Sequence, residues 1–131
     1  MPNSVYIVLK RIQKRYGDVP IIITENGWST LEGIEDEGRV RYYVAALENV
    51  LDALEEGVNI KGYFAWSLMD NFEWLGGYSE RFGLYEVNFE DPERTRTPKK
   101  SAFVYKQIIK TRMIDPDYEP ESYVMTIDEG H

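Results

Sequence analysis

The stretch Ile21-Ile22-Ile23-Thr24-Glu25-Asn26-Gly27 decides how the rest of the chain is read. Three consecutive β-branched apolar residues, entered from Pro20, predict a strand covered on both faces, as parallel strands are when helices flank a sheet. The run stops at a carboxylate followed by Asn-Gly, a pair that readily takes the positive φ of a tight turn. A covered strand that carries one Glu to its C-terminal tip is how α/β folds present chemistry. A strand that simply ends in a solvated Glu is the plainer reading. On this stretch alone the plainer reading is slightly favoured, so the flanking sequence has to decide.

On the N-terminal side, Val5, Val8, Leu9 and Ile12 recur at helical spacing, with Lys10, Arg11, Lys14 and Arg15 towards water. This predicts a helix over Ser4–Tyr16, capped by Ser4 and stopped by Gly17, with basic residues at the negative end of its dipole. On the C-terminal side, Trp28–Glu35 has no periodicity and is read as a loop. Asp36–Glu56 is the longest predicted helix: Val40, Tyr43, Val44, Leu47, Val50, Leu51 and Leu54 mark its inner face, and Gly57 is its cap. A second strand follows at Ile60–Leu68. Strand, helix and strand in this order predict a parallel βαβ unit with a right-handed crossover.

Beyond it, Met69–Phe82 is a loop dense in aromatics and acids, and Gly83–Phe89 is a short extended piece. Thr97-Pro98 is read as the cap and first position of a last helix, with Phe103, Val104, Gln107, Ile108 and Thr111 inward. Residues 115–131 hold six acids and no Lys or Arg, with Pro116 and Pro120, and are expected to form an acidic, loosely ordered tail after a domain spanning 1–114. No internal repeat is present.

Composition works mainly by exclusion. The 131 residues carry a net charge of −8, of which the tail supplies −6, so the body is nearly neutral and lacks the basic stripe of a nucleic-acid binder. No apolar run is long enough to cross a bilayer. There is no Cys, and the one His is His131, the last residue, which leaves thiolate nucleophiles, serine triads and Cys/His metal sites without their residues. Acid–base or nucleophilic work falls to Asp, Glu, Tyr or Lys.

In a parallel sheet both strands of a βαβ unit end at the same edge, so Glu25 and the Trp66–Phe82 loop are expected to share one rim. Aromatic faces meet the axial C–H groups of a sugar, and carboxylates meet its equatorial hydroxyls. Trp66, Phe72 and Phe82 also read as core residues over the rim. That reading is kept for Phe72, which alternates with Glu73 and is expected to point inward. Trp74 beside the charged Glu73 is assigned to the site.

Thr24-Glu25-Asn26-Gly27, Gly62-Tyr63-Phe64-Ala65-Trp66-Ser67-Leu68-Met69-Asp70-Asn71-Phe72-Glu73-Trp74 and Tyr78-Ser79-Glu80-Arg81-Phe82-Gly83-Leu84 together closely resemble glycoside hydrolase family 1, the β-glucosidase family. The resemblance runs in collinear order over about residues 5–114. It implies a (β/α)8 TIM barrel of which this chain is the C-terminal part. It implies Glu25 as the nucleophile, Glu73 as the group binding O4 and O6 of the glycone, Trp74 bonding O3, Trp66 as the platform under the ring, and Phe82 beside O6. The Trp66–Ser67 bond matches one often found cis in the family. No metal or organic cofactor is implied. The implied partners are a β-glucoside or related small glycoside and the remainder of the barrel, as an N-terminal segment or a partner chain, with no nucleic acid and no membrane.

A complete barrel needs about 250 residues. Retaining hydrolysis also needs a second carboxylate roughly 5–5.5 Å from the nucleophile. In the family that group sits in an Asn-Glu-Pro motif on the fourth strand, and this chain has none; Glu119-Pro120 lacks the Asn and lies in the tail. The chain alone is therefore expected to be inactive, and poorly folded or self-associating, because two strands leave both sheet edges unpaired. A non-catalytic carbohydrate- or protein-binding module derived from the same barrel is the alternative reading.

Overall fold

The computed structural model describes residues 3–125. Helix α1 spans Ser4–Tyr16, ending where Gly17 takes φ 74° and its N–H bonds the Gln13 carbonyl at 2.9 Å. Asn3, not Ser4, holds the N-cap position, and no side chain caps the helix there. Strand β1 (Ile21–Asn26) pairs in parallel with β2 (Ile60–Ala65), and α2 (Glu37–Glu55) makes the crossover between them. The βαβ unit expected from the strand-helix-strand order is present.

The expected covering of β1 on both faces is not. Ile21 and Ile23 pack with Leu9, Val50, Ala53 and Val58, yet Ile22 is 57% exposed and Phe64 on β2 is 59% exposed. One layer of helices lies behind two strands, so the opposite face of the sheet meets solvent. The stripe on α1 is uncovered for the same reason: Leu9 is buried, whereas Val8 faces the free flank of β1.

On α2 the inner face is rotated from the expected one. Arg39, Tyr43, Ala46, Asn49, Val50 and Ala53 are buried, while Leu51 and Leu54 are exposed. Val50 and small Ala53 pack with Ile21, Ile23 and Ile60 of the sheet, and the bulky Leu51 and Leu54 fall outside that contact. Tyr43, Leu84 and Ala102 form a second core cluster towards the last helix.

Past β2, Trp74–Gly76 forms one short 3₁₀ turn. Strands β3 (Tyr85–Val87) and β4 (Arg96–Pro98) then make an antiparallel hairpin. This corrects the start of the last helix. Thr97 pairs with Glu86, so its backbone is extended and cannot cap, and Pro98 closes an edge strand where its missing N–H costs nothing. Helix α3 runs Lys100–Thr111 with Lys99 at its N-cap. Phe103 and Val104 are buried as expected, and Thr111 is exposed.

Residues 115–125 pass back over α3: Lys100 Nζ meets Glu119 at 2.7 Å, Tyr123 donates to Glu35 at 2.7 Å, and its ring stacks on Phe103. The remainder of the expected loose tail, 126–131, lies outside the described residues. Among the described residues no helix is long and apolar enough to cross a membrane.

Candidate active site

The register of β1 on β2 is not uniform. Ile23 faces Tyr63 and Asn26 faces Ala65, so β1 takes three steps where β2 takes two. A regular strand would send Ile21, Ile23 and Glu25 to one side. Here the extra residue returns Asn26, not Glu25, to the helix side. Its side chain donates through Nδ2 to the Tyr42 hydroxyl at 2.9 Å and accepts through Oδ1 from the Tyr63 hydroxyl at 2.7 Å. Thr24 and Glu25 are left exposed at the strand tip. A bulge that re-aims a side chain at a strand end is a common device of functional rims.

The two strand ends are held together by backbone. Trp66 N–H bonds the Asn26 carbonyl at 2.8 Å, and Tyr43 donates to the Trp66 carbonyl at 3.1 Å. Burial pushes the Tyr43 and Tyr63 phenols well above their ordinary range, so both stay neutral donors. Gly27 has to be glycine: a Cβ there would lie 1.9 Å from the Trp66 carbonyl oxygen. The Trp66–Ser67 peptide bond is cis.

From there the loop folds on itself. The indole Nε1 of Trp66 donates to Glu73 Oε1 at 3.1 Å, fixing that carboxylate beside the ring. Ser67 N–H bonds the Phe82 carbonyl at 3.0 Å, and Leu84 N–H bonds the Ser67 carbonyl at 2.8 Å, so Phe82 is carried to the base of the same loop. Trp74 has φ 47° and is 84% exposed, standing out from the rim. Trp28, half exposed, stacks on Tyr42 at 5.3 Å between centroids. Phe72 does not point inward as expected; it is 56% exposed and lies edge-on to Tyr78. The structure thus joins Trp66 to Glu73 directly and Phe82 through backbone. Glu25 is exposed and lines a hollow with Val8, Ile22 and Thr24 that does not include Trp66, Glu73, Trp74 or Phe82.

Sequence reasoning missed the charges beneath the rim. Arg39 has no exposed surface and binds five groups: Asp36 and Thr30 at 2.6 Å each, the Gly83 carbonyl at 2.5 Å, the Trp28 carbonyl at 3.1 Å and the Arg81 carbonyl. One guanidinium therefore ties the loop after β1 to the loop before β3. Asp36 in turn accepts from the backbone and hydroxyl of Ser101. Buried Asp70 accepts from Lys99 at 2.9 Å and from the Gly83 N–H at 2.9 Å, with Arg81 at 3.7 Å. Burial holds the Lys99 ammonium below the usual lysine range, against the opposing pull of Asp70. The Asp36–Arg39 spacing was visible in the sequence but reads as a solvated pair at a helix start; nothing local signals that Lys99 meets Asp70.

The described residues thus supply a strand-tip carboxylate and, at the neighbouring strand end, an indole-bound carboxylate with exposed aromatic surface, groups of the kind that bind hydroxyls and sugar faces. The family model described as glycosyl hydrolase family 1 matches residues 1–114, and the chain belongs to that family. Among curated relatives it is 46% identical over 104 residues to human lactase/phlorizin hydrolase, covering 78% of this chain and 5% of that protein. It is 40% identical over 117 residues to beta-glucosidase 5 of Oryza sativa subsp. japonica, covering 88% and 23%. Among solved structures it superposes on a beta-glucosidase from Thermotoga maritima in complex with glucoimidazole with a TM-score of 0.83 and 35% identity, covering 88% of this chain and 27% of that one. Aphid myrosinase gives a TM-score of 0.82 at 37% identity, covering 84% and 24%. Beside the rice and Thermotoga enzymes the chain spans about a quarter of the length, 23% and 27%. Its α/β layer, with open sheets, is a piece of a family 1 barrel.

Proposed function

We propose that residues 1–114 are the C-terminal segment of a retaining β-glycosidase, a (β/α)8 barrel in whole form, followed by an acidic tail. The observation that carries this is the rim itself. The bulge leaves the Glu25 carboxylate exposed at the end of β1, and the neighbouring end of β2 carries the Trp66–Glu73 pair.

Hydrolysis then runs by double displacement. An oxygen of Glu25 forms a bond to the anomeric carbon while the bond to the leaving oxygen breaks. A carboxylic acid from the rest of the barrel protonates that oxygen. The same group next takes a proton from water, whose oxygen displaces Glu25. Glu73 holds O4 and O6 of the sugar: its Oε1 is occupied by the indole, leaving the second oxygen to hydroxyls. Trp66 lies under the ring, Trp74 reaches O3, and Phe82 flanks O6. No step in this scheme calls for a metal or organic cofactor.

Turnover of a nitrophenyl β-glucoside tests the reading in two arms. The complete barrel containing this segment is expected to hydrolyse it, and Glu25→Gln to abolish turnover while sugar affinity is kept. The lone chain is expected to be inert. Undiminished hydrolysis by Glu25→Gln sinks the assignment, and a sugar-binding module would keep its affinity without ever showing turnover.

A further inference from the structure

We propose that Asn26 is the positioning residue for Glu25, setting the aim of the nucleophile through the hydroxyls of Tyr42 and Tyr63. This rests on Glu25 acting as the nucleophile. Two features lead to it. The register step between Ile23 and Asn26 frees the tip of β1 from the regular ladder, so pairing with β2 alone does not fix where Glu25 stands. Immediately after the step, the Asn26 amide uses both ends at once, one on a tyrosine of α2 and one on a tyrosine of β2. A single amide thereby pins the residue after Glu25 to two different elements.

Asn suits the position because it donates and accepts without adding a charge one residue from the attacking carboxylate. The Tyr63 phenol, raised by burial, keeps its proton for Oδ1. The grip on the sugar is moored separately: Trp66 is held by Tyr43 and by the Asn26 main chain, and Glu73 by Trp66. Removing the Asn26 side chain leaves those bonds in place. Loss of aim therefore separates from loss of binding.

The experiment uses a 2-deoxy-2-fluoroglucoside with a dinitrophenolate leaving group on the complete barrel containing this segment. One oxygen of Glu25 bonds to the anomeric carbon, and the aryl oxygen departs with its electron pair. That leaving group needs no proton, so the labelling rate constant reports the aim of Glu25 without the acid/base. Asn26→Ala is expected to slow labelling by about tenfold to a hundredfold, the scale of a misplacement near 1 Å. Tyr63→Phe and Tyr42→Phe, each removing one of the two bonds, are expected to slow it several-fold, with glucose inhibition constants within about twofold of the parent. Thermal melts identify the variants that fold, and the tyrosine variants carry the test if Asn26→Ala does not. Unchanged labelling in folded variants overturns the inference, as does an equal loss of labelling and glucose affinity. Peptide mapping of the parent separates the underlying reading: a label on a residue other than Glu25 removes the nucleophile assignment, and this inference with it.

Discussion

Replacing Arg39 with Met keeps the length of an apolar stem and removes a guanidinium that has no exposed surface. Asp36 would then stay buried, with Ser101 as its remaining partner. Breaking a buried ion pair by removing one member costs about 3–5 kcal/mol, because the surviving charge is uncompensated. The Trp28 and Gly83 carbonyls also lose their guanidinium donors, at about 1 kcal/mol each. The Arg81 carbonyl fares better, since it still accepts the Thr30 N–H at 3.0 Å. The total, about 5–7 kcal/mol, is comparable with the whole stability of many domains. The loss is local in origin, so amide hydrogen exchange in the complete barrel is the suitable assay. Protection of the Thr30 and Gly83 amides should fall first and furthest. Arg39→Lys should recover part of it, since one ammonium reaches Asp36 but not the fan of carbonyls. A loss below about 1 kcal/mol at those amides would refute the view that this guanidinium binds the two loops together.

Three further outcomes follow from the geometry. Gly27→Ala puts a methyl 1.9 Å from the Trp66 carbonyl, so the strand ends must part; thermal melts should show a loss of at least about 1–3 kcal/mol, together with lost turnover. Trp74→Ala should leave the melting temperature nearly unchanged, within about 0.5 kcal/mol, because the side chain is 84% exposed, while raising the KM for a glucoside; an unchanged KM removes Trp74 from the site. Hydrogen bonding from Lys100 holds the Glu37 carboxyl below its ordinary 4.5. Its contribution to stability is thus present above about pH 4.5 and lost as pH falls through the lowered value. Carbonyl NMR titration should show that low midpoint, and Lys100→Ala should return it towards 4.5.

The parallel βαβ unit was legible because its signals are local: a β-branched run, an amphipathic helix and a second apolar run. The limits of α1 were legible too, from Gly17 and the polar flank. The inner face of α2 departs from the expected one because Leu51 and Leu54 fall outside the contact made by Val50 and Ala53, while Arg39 enters the core by binding Asp36 one turn away and four groups 9 to 44 residues away. Thr97-Pro98 carries the same residues as a helix start, and only pairing with Glu86 and Tyr85 makes it a strand. For the candidate site, the residue types were readable from the motifs. The register step that frees Glu25 depends on how β1 pairs with β2, and the tyrosines that hold Asn26 lie 16 and 37 residues away; no local pattern encodes either.

The placement of the indoles has a practical consequence. The three tryptophans of the chain, Trp28, Trp66 and Trp74, all stand after the ends of β1 and β2, one against Tyr42, one on Glu73 and one in open water. Emission from this segment therefore samples the rim and not the helical layer behind it. A hydroxylated guest that competes for Glu73 or dries Trp74 should announce itself by a spectral shift, an optical gauge already installed in the sequence.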